Sequence, residues 1–101
     1  MTRIQSVHFD SDSKLIQFIE ERLAKFGKTM GTPAAEASVV LKLEKNGQVQ
    51  DKIVEMIIQL PGHPLIAKSS KKSFEEATRD ALDTLKSQWT RYKEKIQAKH
   101  Q

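Results

Sequence analysis

The sequence predicts an α+β domain of two layers, in which two amphipathic helices cover one apolar face of a β-sheet. Two observations lead to this fold class. Apolar residues recur at steps of three and four in two segments, as on a helix, and between those segments apolar and polar residues alternate, as in half-buried strands. A chain of 101 residues has room for one hydrophobic core, so residues 1–101 are expected to form a single domain.

The first part of the chain predicts a strand followed by a helix. β-Prone residues recur over residues 2–9, although their alternation is poor. The helix is predicted over residues 12–28, because the polar residues 10–12 can cap its free N–H groups and because Gly31 and Pro33 end any continuation. Its apolar face consists of Leu15, Ile16, Ile19, Leu23 and Phe26.

The middle of the chain predicts three strands in an antiparallel meander. They cover residues 37–45, 52–60 and 65–69, and the alternation is clear in the first two. Asn46-Gly47 tolerates two positive φ angles and therefore predicts the first turn. Pro61-Gly62 predicts the second reversal, with proline setting φ and glycine taking a positive φ.

The last element is predicted to be a long helix. Ser73 and Glu76 have the spacing of a capping box, and neither glycine nor proline interrupts the chain after them. Because Trp89 and Tyr92 belong to the apolar stripe, core packing is favoured over base stacking for both. The stripe consists of Phe74, Ala77, Ala81, Leu82, Leu85, Trp89, Tyr92 and Ile96.

The composition argues against an enzyme, a metal site and a membrane span. The chain has no cysteine, and its histidines at positions 8, 63 and 100 have no metal-ligand spacing. No phosphate-binding glycine loop occurs, and no carboxylate pair has a partner for acid–base work. No apolar run approaches the roughly 18 residues of a membrane span, and the start lacks a signal-peptide core. We therefore expect a cytoplasmic protein without catalytic residues, cofactor, metal or small-molecule substrate.

The excess positive charge lies in the last third of the chain. With 17 basic and 13 acidic side chains the net charge is +4. Residues 1–67 hold equal numbers of the two, so residues 68–101 account for the whole excess. Such an asymmetry favours a polyanionic partner. A basic helix that is merely solvated is the alternative that charge alone leaves open.

Basic residues are arranged in rows on both predicted helices. Residues seven apart on a helix differ by only about 20° around its axis. The last helix carries such a row at Lys72, Arg79, Lys86 and Lys93. Its opposite flank carries Arg91, Lys95 and Lys99, and the first helix carries Arg22, Lys25 and Lys28. Rows of this kind fit the phosphates of a nucleic-acid backbone, although lysines that cover the edges of an apolar stripe are the alternative.

Three segments resemble the ribosome hibernation-promoting factor family, also called ribosome-associated inhibitor A and labelled sigma-54 modulation protein. They are RLAKF at residues 22–26, VVLKLEK at residues 39–45 and LKSQWTRYKEK at residues 85–95. The similarity extends over nearly the whole chain in the same order of elements. It rests on this collinear set, because no single motif is diagnostic.

The resemblance implies a fold and a partner. The fold is β-α-β-β-β-α, a two-layer sandwich with two parallel helices packed on one face of a four-stranded sheet. The partner is the small ribosomal subunit with its 16S rRNA, bound between head and body where messenger RNA and the transfer RNAs of the A and P sites would lie. Occupying this channel would inhibit translation and preserve idle ribosomes in stationary phase or stress, without chemistry.

Ten residues are candidate RNA contacts. The resemblance supplies basic matches at Lys25, Lys28, Lys42, Arg91, Lys93 and Lys95, and the helical rows add Arg22, Lys72, Arg79 and Lys86. The sequence departs from the family pattern at Thr84 and Ser87, where lysine and arginine are common. Which flank of the last helix contacts rRNA therefore stays open.

Two other functions stay open alongside this one. A general double-stranded-RNA-binding domain also places two helices on a sheet, and a protein adaptor that modulates transcription needs no RNA at all. The sequence ends at Gln101, without the acidic tail of one short subgroup or the ribosome-dimerising second domain of the long subgroup. Pairing of ribosomes and silencing of single ribosomes are thus both compatible with the resemblance.

Overall fold

A computed structural model describes residues 2–7, 11–31, 36–46 and 49–99 of the chain. Four strands and two helices follow one another in the predicted order. They are β1 (Thr2–Val7), α1 (Ser13–Met30), β2 (Ala37–Asn46), β3 (Val49–Ile58), β4 (Leu65–Lys71) and α2 (Phe74–Lys99). Several residues named in the sequence predictions lie outside the described residues, namely His8 and Phe9 of the first strand, Pro33, and Gly47 of the first turn.

The four strands form one sheet in the spatial order β1-β2-β3-β4. β1 pairs with β2 in parallel, and β2, β3 and β4 form the predicted antiparallel meander. β3 begins at Val49, which pairs with Asn46, three residues before the predicted start. It ends at Ile58 rather than at residue 60, and the N–H of Gln59 donates to the Glu36 carbonyl at 2.9 Å, one register step beyond the Ala37–Ile58 pair.

One face of the sheet forms the floor of the core, as the alternation predicts. Alternate residues of the central strands and of β4 are buried there, and they meet the apolar stripes of both helices. The members from the sheet are Ala37, Val39, Leu41, Val54, Met56, Ile58, Leu65 and Ala67. The α+β two-layer sandwich is therefore confirmed.

The opposite face of the sheet carries one buried residue that the alternation did not mark as core. Ile53 pairs with Lys42 and is only 4% exposed, although neither helix of the described part of the chain covers this face. It lies in a shallow groove lined by Val7, Lys42 and Lys68. The aliphatic parts of long charged side chains can cover an apolar neighbour in this way while their charges stay in water.

Helix α1 begins as predicted and ends later than predicted. The carboxylate of Asp12 accepts hydrogen bonds from the N–H groups of Lys14 at 2.6 Å and Leu15 at 3.4 Å, so Asp12 is the N-cap. Gly27 is buried within the helix, and the chain leaves the helix at Gly31, whose φ of 71° is left-handed. The sequence predicted an end at residue 28, because the positions of Gly27 and Gly31 do not show which of them takes a left-handed φ.

Helix α2 runs antiparallel to β4 along the edge of the sheet. The Ser73 hydroxyl accepts a hydrogen bond from the N–H of Glu76 at 3.2 Å, which caps its first turn as predicted. The Ser69 hydroxyl donates to Asp80 at 2.6 Å near the start of the helix. Seven residues beyond Leu85, the Tyr92 hydroxyl donates at 2.6 Å to the carbonyl of residue 61, before β4 begins.

The two helices run in the same direction on the core face of the sheet. The guanidinium of Arg79, early in α2, lies 5.8 Å from the ring centre of Phe18, early in α1. Lys25 and Lys86, later in each helix, line the same groove. Both helices therefore run antiparallel to β1 and β4, which is the arrangement that the family resemblance implied.

Replacing Gly31 with alanine tests the end of α1. We expect the free energy of unfolding to fall by about 1 kcal/mol, because a left-handed conformation costs an L-residue about 1–2 kcal/mol and a stiffer unfolded chain returns part of this. No atom lies within 4 Å of an added Cβ, so no steric clash contributes. Urea denaturation measures the change. Gly31→Asn is the control and should lose less, since asparagine tolerates this conformation. Equal losses for both variants would contradict the assignment.

Candidate nucleic-acid interface

A groove between α1 and α2 collects basic residues from both helices. Its volume is about 410 Å³, and four cationic side chains line it: Arg22 and Lys25 from α1, and Arg79 and Lys86 from α2. Phe26 and Leu82 lie at its base, where both are buried in the core. We call this feature the interhelical groove.

The parallel packing of the helices is what brings the two basic rows together. Arg22 and Lys25 are three residues apart on one flank of α1, and Arg79 and Lys86 are seven apart on one flank of α2. These flanks face each other because both helices turn their apolar stripes toward the same sheet. The sequence predicted each row separately, and only the packing joins them.

The cations of the interhelical groove are not neutralised by ion pairs. Within the described part of the chain, the ion pairs join Glu55 to Lys42 and to Lys68, and both are on the other side of the sheet. The lining holds a single acid, Asp83, so four positive charges and one negative charge give it a net charge of +3. Clustered like charges in a partly enclosed groove create a positive potential that attracts anions.

Two of these cations share an aromatic ring. The guanidinium carbon of Arg22 lies 5.2 Å from the ring centre of Phe18, and that of Arg79 lies 5.8 Å from it. Both distances are within the range of a cation–π contact. Phe18 is itself partly buried against the core, so the ring provides a fixed support for both side chains.

The other members of the predicted rows lie outside this groove. Lys72 precedes α2 and is exposed, and Lys28 is exposed in the last turn of α1. Lys93 is exposed one turn beyond Trp89, with its ammonium nitrogen 5.9 Å from the indole ring. These three residues extend the positive surface beyond both ends of the groove without joining its lining.

The opposite flank of α2 carries a second, smaller basic cavity. Arg91 and Lys95 line a cavity of about 320 Å³ together with His63, Pro64, Ile66, Gln88 and Tyr92. Thr84 and Ser87, the two departures from the family pattern, are exposed residues of α2. This flank is therefore less charged than the interhelical groove, as the departures predicted.

Gln88 joins this flank of α2 to the edge of the sheet. Its Oε1 accepts a hydrogen bond from the N–H of Ile66 at 2.8 Å, and its Nε2 donates to the carbonyl of Ile66 at 2.5 Å. The amide thereby takes the place of a neighbouring strand and caps one residue of the exposed edge of β4. Sequence reasoning missed this role. The signal for it in the sequence is the amide side chain of Gln88 at the border of the apolar stripe.

A histidine completes the wall of the second cavity. His63 Nδ1 lies 3.0 Å from the carbonyl oxygen of Pro64, and because a carbonyl only accepts, Nδ1 carries the proton in this contact. The imidazole meets the ring of Tyr92 edge-on at 5.4 Å. Tyr92 in turn stacks on Trp89 at 5.6 Å and is buried, in agreement with the core assignment of both aromatic residues.

The fold places Lys42 on the other side of the sheet from the candidates on the two helices. It lies on the open face of the sheet, opposite the helices, and forms an ion pair with Glu55 at 3.3 Å. Lys68 approaches the same carboxylate at 3.6 Å. The sheet thus stands between Lys42 and the interhelical groove, so the ten candidates do not form one surface.

The fold and the interhelical groove define a small α+β protein with a cationic helical surface. Residues 2–97 match the family described as Sigma 54 modulation protein / S30EA ribosomal protein. The chain belongs to this family, and the resemblance read from the sequence is confirmed. It is a family of ribosome-associated proteins that are not enzymes, in agreement with the expectation that the chain has no catalytic activity.

Two solved structures are similar to the chain in fold. A ribosomal subunit interface protein from Coxiella burnetii has a TM-score of 0.74 at 18% identity, over 91% of this chain and 96% of that one. The N-terminal domain of Protein Y from Thermus thermophilus has a TM-score of 0.72 at 21% identity, over 89% of this chain and 94% of that one. No curated protein matches the sequence.

Among the residues that the structure describes, no three histidine, cysteine or acidic side chains are grouped so that they could hold a metal ion. The helices there are also too short or too polar to cross a membrane.

Replacing Gln88 with alanine tests the attachment of α2 to the sheet edge. We expect the free energy of unfolding to fall by about 1 kcal/mol, because two hydrogen bonds are lost at a position where water can replace them in part. Thermal or urea unfolding measures the change. Ser87→Ala, at the exposed neighbouring position, is the control and should stay within about 0.5 kcal/mol. A Gln88→Ala protein as stable as the parent would show that the contact adds nothing.

Proposed function

We propose that this protein binds the small ribosomal subunit through its helical surface and inhibits translation by occupying the path of messenger and transfer RNA. One observation carries the proposal, namely the convergence of four unpaired cations in the interhelical groove. The family to which the chain belongs supports a ribosomal partner.

Phosphate groups are the ligands that this groove suits best. Arginine presents a planar fork of N–H donors that matches phosphate, and lysine adds a point charge. When such side chains neutralise backbone phosphates, condensed counterions are released, and this supplies most of the sequence-independent affinity. Since the groove lies between two helices fixed on a sheet, little conformational entropy is lost on binding.

The proposed inhibition is steric and electrostatic. The domain is slender, 54 Å long and 25 by 18 Å across, so it can enter a cleft without opening it widely. The cations then hold it against 16S rRNA by competing for phosphates that line the channel. In this proposal the protein acts in the cytoplasm, in stationary phase or under stress, and needs no cofactor, metal or small-molecule substrate.

A co-sedimentation experiment with purified small subunits tests this proposal. We expect saturable binding of about one molecule per subunit and, for four phosphate contacts, a slope of roughly −3 to −4 in log K against log salt. Cell-free translation should fall as the subunits become occupied. Replacing the four groove cations (Arg22, Lys25, Arg79 and Lys86) by glutamine should abolish binding at physiological salt.

A matched variant separates the groove from overall charge. It neutralises four exposed cations elsewhere (Arg3, Lys14, Lys68 and Lys71) and should bind almost as tightly as the parent. Equal loss in both variants would mean that net charge alone drives binding. Comparable affinity for any RNA duplex would instead support a general double-stranded-RNA-binding domain, and no affinity for either RNA would favour a protein adaptor.

The single acid of the groove gives a test by gain of affinity. Asp83→Asn should bind small subunits about two- to fivefold more tightly at low salt, because it removes the one negative charge that faces the incoming phosphates. Glu94→Gln makes the same change of charge at an exposed position outside the groove and is the control. Filter binding measures both. An unchanged or weaker affinity for Asp83→Asn would place the RNA elsewhere on the surface.

A further inference from the structure

We propose that Arg22, Arg79 and the ring of Phe18 form a clamp for a phosphate group of the RNA backbone. This inference rests on the proposed function and deepens it, since it assigns one end of the interhelical groove to a defined chemical task. We call the three residues the phosphate clamp. In this clamp Phe18 is an apolar residue that takes part in binding by positioning two guanidinium groups.

The geometry joins the two helices at one ring. Arg22 lies one helical turn after Phe18 on α1, and its guanidinium is 5.2 Å from the ring centre. Arg79 reaches the same ring from α2, at 5.8 Å. Both guanidinium groups are therefore held at one end of the groove, and both line it.

Two like charges held at one ring leave a place for an anion. They repel each other, and within the described residues neither forms an ion pair with a carboxylate. Asp83 lines the same groove one turn beyond Arg79, but within the described residues no ion pair joins the two. An anion that contacts both guanidinium groups would convert this repulsion into two attractive, charge-assisted contacts.

Phosphate is the anion that this arrangement favours. Guanidinium groups are weakly hydrated and can stack on an aromatic ring while their N–H edges remain free for a bidentate contact. The ring also excludes water from one side of each group, which strengthens its interaction with charge on the other side. Lysine ammonium groups act as point charges, so Lys25 and Lys86, further along the groove, would attract the backbone without fixing its orientation.

If the two arginines only cover the ring of Phe18, a different result is expected. Arginine side chains often cover partly exposed aromatic rings without any role in binding. In that case the identity of the cation would not matter to RNA, and replacing arginine by lysine would preserve affinity. If the clamp operates, the planar fork and the ring both matter, and the two interpretations differ in a measurable way.

The experiment measures binding of the full chain to purified small subunits by filter binding. The double variant R22K/R79K keeps every charge but removes both forks, and we expect about a tenfold loss of affinity. The control is R3K, which makes the same arginine-to-lysine exchange at an exposed position outside the groove and should bind within about twofold of the parent. If R22K/R79K binds like the parent, the clamp is wrong.

Variants of Phe18 test whether its ring positions the two guanidinium groups. Phe18→Leu removes the ring and should weaken binding about three- to tenfold, whereas Phe18→Tyr keeps it and should bind within about twofold of the parent. Because Phe18→Leu keeps all cations, the slope against salt should stay unchanged, whereas Arg79→Gln should reduce it by about 1. Near-ultraviolet circular dichroism checks that both Phe18 variants fold. Parental affinity of a folded Phe18→Leu protein would overturn the positioning role.

A second probe separates the clamp from the proposed function. In an NMR titration with a 12-nucleotide single-stranded RNA, the side-chain N–H signals of Arg22 and Arg79 should shift together, and those of Arg91 should shift less. If the small subunit does not bind but these two signals shift, the clamp stands and the ribosomal proposal falls. If the subunit binds while the signals stay unmoved and R22K/R79K is unimpaired, the ribosomal proposal stands and the clamp falls.

Discussion

The direction of α1 is the constraint on which the cationic surface depends. β1 and β2 are parallel neighbours, so the chain between them must return along the sheet, and α1 provides this crossover. Three strands later α2 also runs back along the sheet, on the same face. The helices are consequently parallel neighbours, and equivalent turns of α1 and α2 stand opposite each other. A basic flank on each helix is enough to produce a groove with cations on both walls.

This arrangement concentrates four positive charges that repel one another. The stability of the two helices comes from the core beneath them, with Ile19 and Leu85 fully buried, and from polar attachments on the far flank of α2. Local repulsion in the groove is tolerated because those contacts fix the helices independently. Surfaces that hold like charges close together are commonly functional, since binding an anion removes the repulsion.

The sequence predicted the element order, the core face of the sheet and the N-terminal caps of both helices, because each depends on residues close together in the chain. It did not predict the interhelical groove, since periodicity fixes where a residue lies on its own helix but not which helix faces it. The burial of Ile53 and the hydrogen bonds between Gln88 and the sheet edge were not predicted, for the same reason. Lys42 is among the candidates because the family resemblance supplies it, and the structure places it on the face of the sheet opposite the helices, where the alternation of β2 also puts it.

The two flanks of α2 carry unequal positive charge. The flank at the sheet edge has the uncharged residues Thr84 and Ser87 and carries Arg91 and Lys95 near its end. The other flank carries Arg79 and Lys86, opposite the cations of α1. The two flanks lie more than 90° apart around the helix axis. Positive charge on α2 is therefore centred on the side that faces α1 rather than on the sheet edge. The phosphate contact that we propose is accordingly formed between two helices rather than along one.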